Sequence, residues 1–219
     1  MIRFARRLAP PLAAAACLAL AAAPALAGVT LQARTRAWTV KPDQRVRIEF
    51  PVGELRVEAN DDTRVRLELT VKCKGDDTER CMNHAERLKL DARDHGGVLT
   101  IGVQGYPKLN PRFNLIAVLQ VPKGCDLDVE MGVGQLEVLG MEGEVDADLG
   151  VGEATVEVPK EAVRRVAVEV GIGEARLRAG DDRRESSGLF GREVRWTEGT
   201  GRSIVKLNVG VGDARVALR

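Results

Sequence analysis

Few residues in this 219-residue chain have the type and spacing that chemistry needs. Cys73 and Cys81 bracket a polar turn in Cys73-Lys-Gly-Asp-Asp-Thr-Glu-Arg-Cys81, with His84 and His95 downstream. Two thiols joined by so short a turn predict a local disulfide in an oxidising compartment. The rival is a metal site drawn from Cys73, Cys81, His84 and His95, although their spacing matches no common zinc pattern. Cys125 follows Pro122-Lys123-Gly124 and precedes alternating Leu127 and Val129, the setting of a small buried hydrophobe. Ser186, Ser187 and Ser203 lie in polar stretches with no histidine beside them, so no nucleophilic triad is predicted. Gly-x-Gly pairs recur, but inside strand-like alternation instead of at a strand-to-helix turn, which argues against a dinucleotide fingerprint or P-loop. No catalytic residue, cofactor or metal ligand is predicted, and the chain is not expected to be an enzyme.

The chain begins as exported proteins do. Arg3, Arg6 and Arg7 precede an apolar stretch over residues 12–23, and Ala25-Leu26-Ala27 offers small residues for cleavage before Gly28. Residues 1–27 are therefore read as a signal peptide, and no later segment is apolar for the roughly 20 residues a membrane span needs. Lipid attachment at Cys17 is disfavoured, because Ala14-Ala15-Ala16 lacks the expected leucine and apolar Leu18-Ala19-Leu20 follows. Without the three signal arginines, 33 Lys+Arg set against 32 Asp+Glu become a slightly acidic balance. That excludes a nucleic-acid protein, which needs a basic surface to neutralise phosphates. The predicted location is periplasm, cell surface or medium.

The elements that position these residues are legible from a repeat. Phe50-Pro-Val-Gly53-Glu-Leu-Arg-Val57, Met131-Gly-Val-Gly134-Gln-Leu-Glu-Val138, Leu149-Gly-Val-Gly152-Glu-Ala-Thr-Val156, Val170-Gly-Ile-Gly173-Glu-Ala-Arg-Leu177 and Val209-Gly-Val-Gly212-Asp-Ala-Arg-Val216 align. The last four stand 18, 21 and 39 residues apart, and Leu189-Phe-Gly191-Arg-Glu-Val-Arg-Trp196 is a degenerate copy in the widest gap. Apolar residues alternate before each motif and again after it with shifted parity: Val145, Ala147 and Leu149, then Ala154, Val156 and Val158. A flat strand with this pattern would turn half its apolar set into water. Each unit is thus two strands meeting at a glycine corner, marked by Gly53, Gly132, Gly134, Gly150, Gly152, Gly171, Gly173, Gly210 and Gly212.

A unit of about 20 residues traces roughly 60 Å, one turn of a narrow coil. The expected fold is all-β: a right-handed single-stranded β-helix or β-solenoid over residues 121–219. Residues 28–120 are read as an irregular N-terminal β cap with a short helix near 77–88. An antiparallel β-sandwich with similar glycine turns is the alternative. Stacking in sequence order predicts two inward columns: Val133, Val151, Ile172 and Val211, and Leu136, Ala154, Ala175 and Ala214. It also predicts two outward polar columns: Gln135, Glu153, Glu174 and Asp213, and Glu130, Asp148, Glu169 and Asn208. At about 4.8 Å between strands their like charges repel, unless cations or neighbours such as Arg176 and Arg215 intervene. The last unit, ending at Arg219, is read as an uncapped rung able to pair with another copy or an envelope partner.

The Gly-Val-Gly-Glu-Ala-x-Val unit, the Val121-Pro-Lys-Gly124 lead-in and the export signal together resemble the bacterial "putative adhesin" family, whose domains of β-strand repeats are similar to auto-transporter adhesin heads. The resemblance covers residues 40–219 and is most specific in the repeat half. It implies a β-helix-like fold and a cell-envelope location, and carries over no binding residues. The predicted function is a non-catalytic envelope or surface module for adhesin-like binding or scaffolding, its partner an envelope protein or glycan. The alternatives are a polysaccharide-active β-helix enzyme and a self-assembling structural protein.

Overall fold

A computed structural model describes residues 29–42, 44–73, 78–106, 113–188 and 191–219. The signal with Cys17, and Leu189 and Phe190 of the degenerate copy, lie outside the described residues. The described residues are all-β apart from one helix and a short 3-10 turn. Its strands are β1 (Val29–Thr39), β2 (Arg45–Asn60), β3 (Arg64–Cys73), β4 (Lys89–His95), β5 (Val98–Gln104), β6 (Phe113–Pro122), β7 (Asp126–Leu139), β8 (Val145–Val158), β9 (Val163–Ala179), β10 (Asp182–Gly188), β11 (Arg192–Trp196) and β12 (Ser203–Leu218). The helix α1 (Thr78–Arg87) falls between β3 and β4. All strands join one 12-stranded mixed sheet ordered β1-β3-β6-β2-β7-β8-β12-β9-β10, with β5 and β4 beside β2 and β11 beside β9. No helix among the described residues is long and apolar enough to cross a membrane.

The long strands β2, β7, β8, β12 and β9 run parallel and in register. Each carries two buried sets. In β8 these are Val145, Ala147 and Leu149, then Ala154, Val156 and Val158, with Gly150-Val151-Gly152 between them contributing nothing to the core. The sheet is therefore creased along the glycine line, and its two leaves share one aliphatic core. Gly53, Gly134, Gly152, Gly173 and Gly212 all adopt positive φ, between 125° and 141°, which side-chain-bearing residues rarely adopt. Leu55, Leu136, Ala154, Ala214 and Ala175 are neighbours strand to strand and fully buried just beyond the crease. A parallel sheet usually reads as continuous apolar runs because both its faces are covered. Here strict alternation leaves one face charged and wet.

Three expectations are corrected. Val133, Val151, Ile172 and Val211 form a column, but it faces outward: they are 48%, 46%, 45% and 44% exposed. The corner itself occupies the residue between the glycines, so the parity shift begins one position before the second glycine. The strand order is also not the chain order, because β12 lies between β8 and β9. After β9 the chain doubles back. β10 pairs antiparallel with its second half, from Asp182 on Ala179 to Gly188 on Gly173, and β11 pairs antiparallel with its first half, from Arg192 on Val170 to Trp196 on Val166. The part of the degenerate copy that forms β11 thus runs in reverse and occupies the outer side of β9, leaving the inner gap to β12. Finally, β12 is hydrogen-bonded along both edges, so the C-terminal rung offers no free edge for self-association. The outer strands are β10 and β11 at one end and β1 and β4 at the other.

Cys73 and Cys81 form a disulfide that ties α1 to β3. Arg34 adds two hydrogen bonds, donating to the carbonyls of Leu88 at 2.6 Å and Ala85 at 3.3 Å. Cys125 is buried, and so is Met141 in the connection from β7 to β8.

Candidate functional site

The outer face of the crease is built in rows, because parallel in-register strands bring equivalent side chains together. On the first leaf, Glu49, Glu130, Asp148, Asn208, Glu169 and Glu193 are successive neighbours across β2, β7, β8, β12, β9 and β11. Asn208 is the neutral member, donating from Nδ2 to Asp148 Oδ1 at 2.8 Å. Glu193 pairs with Arg195. Glu49, Glu130 and Glu169 make no ion pair among the described residues. One row further from the crease opposite charges pair across neighbouring strands: Arg47 with Asp128 at 2.5 Å, Lys206 with Asp146 at 3.2 Å. The hydrogen bond and charge of Asp128, assisted by the charges of Glu130 and Glu49, raise the Arg47 guanidinium pKa above its ordinary value.

Beside the carboxylate row runs an open groove of about 940 Å³. Gly132, Gly150, Gly210 and Gly171 line it, with Val103 and Arg192 also on its surface. Close strand packing at the bend keeps these four positions free of side chains. A Cβ on Gly132 would collide with the Pro51 carbonyl, one on Gly150 with that of Gly132, one on Gly210 with that of Gly150, and one on Gly171 with that of Gly210. Next comes the aliphatic ladder of half-buried Val52, then exposed Val133, Val151, Val211 and Ile172 in strand order. On its far side lies a second polar row: Glu54, Gln135, Glu153, Asp213 and Glu174. Arg176 pairs with Glu174, and Arg215 with Asp213 at 3.6 Å.

Both outward columns expected from the sequence are therefore assembled, with Asp213 and Asn208 moved inward by the placement of β12. The ladder between them was missed, although a signal for it was present. A branched aliphatic residue between two glycines sits where the strand turns over, with no side chain on either adjoining residue of its strand to shield it.

The other candidates do not converge. The disulfide removes Cys73 and Cys81 as metal ligands. His84 packs edge-on against Phe113 at 6.4 Å, and His95 is exposed at the end of β4. Among the described residues, no three or more His, Cys, Asp or Glu side chains are grouped to hold a metal ion. Ser203 is buried and donates its hydroxyl to the Ala162 carbonyl at 2.8 Å, which secures the start of β12.

No protein-family model matches the chain, and no curated protein matches it. Among solved structures, it is similar to a putative cell adhesion protein from Clostridium sporogenes ATCC 15579: 16% identity, 86% of this chain and 100% of that chain covered, TM-score 0.49. It is also similar to a putative adhesin from Bacteroides fragilis NCTC 9343, with 11% identity, 84% and 97% coverage and a TM-score of 0.31. A putative adhesin from Parabacteroides merdae ATCC 43184 shows 12% identity, 86% and 97% coverage and a TM-score of 0.26. Chains described as putative adhesins are thus among the solved structures to which this chain is similar.

Proposed function

We propose that the protein is an exported, non-catalytic module of the cell envelope or surface, which binds or scaffolds a partner through the outer face of its crease. The observation that carries this reading is the ladder. Among the described residues the other large aliphatic side chains are buried or half-buried apart from Met82, yet four in consecutive register stand 44–48% exposed. Contiguous exposed apolar rows of this kind mark interaction surfaces. The Cys73–Cys81 disulfide supports an oxidising compartment, and residues 1–27 supply the export signal in this reading. In the same reading residues 28–120 form the entry cap and residues 121–219 a coil of rungs, one of them inserted out of order.

The carboxylate groove favours a second reading, a polysaccharide-active enzyme. Glycosidases place two carboxyl groups on either side of the scissile bond. Here Glu49, Glu130, Asp148, Glu169 and Glu193 all belong to one row, and no acidic residue lines the groove opposite them. Two measurements on the full chain test the function together. Fractionation of cells expressing it should find a shortened, oxidised protein outside the cytoplasm, and incubation with a glycan panel should release no product. A full-length, reduced cytoplasmic protein, or glycan turnover lost in Glu130→Gln, would overturn the reading.

A further inference from the structure

We infer that the crease receives a cationic polypeptide segment of a partner, in which aliphatic side chains alternate with Lys or Arg. This rests on the reading above, that the ladder is a binding face, and specifies what it binds.

The ladder from Val52 to Ile172 spans five strands, or about 19 Å at about 4.8 Å per spacing. An extended segment of about six residues covers that length. Its apolar side chains would rest on Val133, Val151, Val211 and Ile172. The flanking positions are acidic on both sides: Glu130, Asp148 and Glu169 toward the groove, Glu153, Asp213 and Glu174 beyond. On the groove side, Glu169 has no ion-pair partner among the described residues, and Glu130 has only the charge of Arg47 at longer range. Carboxylates one strand apart repel, and an ammonium or guanidinium group set between them relieves that repulsion. The glycine-lined groove gives long basic side chains room to reach them.

The same charges disfavour other occupants. Two creases meeting face to face would set carboxylate rows against carboxylate rows. An anionic lipid surface is repelled for the same reason. A sugar is usually held by a stacked aromatic ring, and the one aromatic residue lining the groove, Phe50, is only 2% exposed. What remains is an apolar surface that repels anions and attracts cations, which draws a basic partner faster at low salt.

The test uses the intact folded chain and labelled synthetic peptides followed by fluorescence anisotropy. The probe alternates Val and Lys; the controls replace Lys with Glu, or Val with Ser. The Val/Lys peptide is expected to bind at least about tenfold more tightly than either control, and more weakly as salt rises. Paired changes Val151→Ser and Val211→Ser should weaken it about tenfold without altering the circular dichroism spectrum or monomeric state. Paired changes Glu130→Gln and Glu169→Gln should weaken it several-fold and flatten the salt dependence. Equal binding of the Val/Glu peptide overturns the cationic partner while preserving the face. So does ladder-dependent binding to phosphatidylglycerol vesicles, or ladder-dependent dimerisation by sedimentation. If neither peptide, vesicle nor second copy responds to the loss of Val151 and Val211, the face itself is wrong and the proposed function falls with it.

Discussion

Gly212 lies directly beside Gly152 along the crease: its φ is 137°, and a Cβ there would run into the Gly152 carbonyl. The same relation joins Gly152 to Gly134 and Gly134 to Gly53. The bend is thus a stack of backbones packed without side chains, each held in place by the next.

Gly152→Ala should therefore destabilise the chain by about 3 kcal/mol or more, combining a disallowed φ with a backbone collision. Gly124 is the control. It lies in the β6–β7 connection, has no positive φ and has open space where a Cβ would go. Gly124→Ala should leave stability within about 0.5 kcal/mol, with any gain coming from a less flexible unfolded chain. Urea denaturation midpoints of the two variants make the comparison, and similar midpoints would contradict the packed-crease account.

Ala214 is fully buried between Ala154 and Ala175. Its neighbours cannot retreat, because each is itself paired on both sides, Ala154 to β7 and β12, and Ala175 to β12 and β10. Ala214→Leu should cost about 1–3 kcal/mol through overpacking. Leu136→Ala, in the same row, should cost about 2–5 kcal/mol by leaving a cavity. Both are read from the same denaturation curves.

Reduction of Cys73–Cys81 should lower stability by about 2–3 kcal/mol on the loop-entropy scale. The loosening should be local, since the disulfide joins α1 to the edge region while the five long parallel strands pair independently of it. Amide exchange with and without reductant checks this. Protection should fall over residues 78–87 and persist over residues 145–158.

Tyr106 is the single tyrosine, and burial raises its pKa above the ordinary value; its ring meets Phe113 edge-on at 5.9 Å. The folded chain therefore favours the neutral phenol. Its contribution to stability is unchanged below the unfolded-state pKa of about 10, then falls as pH rises through the folded value. Ultraviolet titration should give a higher midpoint for the native chain than for the urea-unfolded one. Tyr106→Phe should reduce the alkaline loss of stability, and coincident native and unfolded midpoints would refute the shift.

Local rules carried the sequence reading a long way. Alternation identified the two buried sets in each long strand, and an eight-residue spacing identified the disulfide partners. Each of these depends on residues close together in the chain, where geometry leaves little choice. The acidic rows were legible for the same reason, since equivalent positions in a repeat become neighbours once strands stand in register.

Pairing between distant segments was not legible. The rungs carry nearly the same apolar pattern, so β12 satisfies the edge of β8 as well as β9 does, and no local preference orders them. Only the folded chain shows β10 and β11 closing the outer side of β9 and leaving the inner gap to β12. The direction of Val133, Val151, Val211 and Ile172 was likewise hidden. Period-two counting holds along a straight strand, whereas a bend at two glycines uses up a residue and reverses which side faces water. Composition and spacing decided that this chain would crease around an aliphatic core. Long-range hydrogen bonding decided which strands would meet there, and so assembled an apolar ridge between two acidic rows.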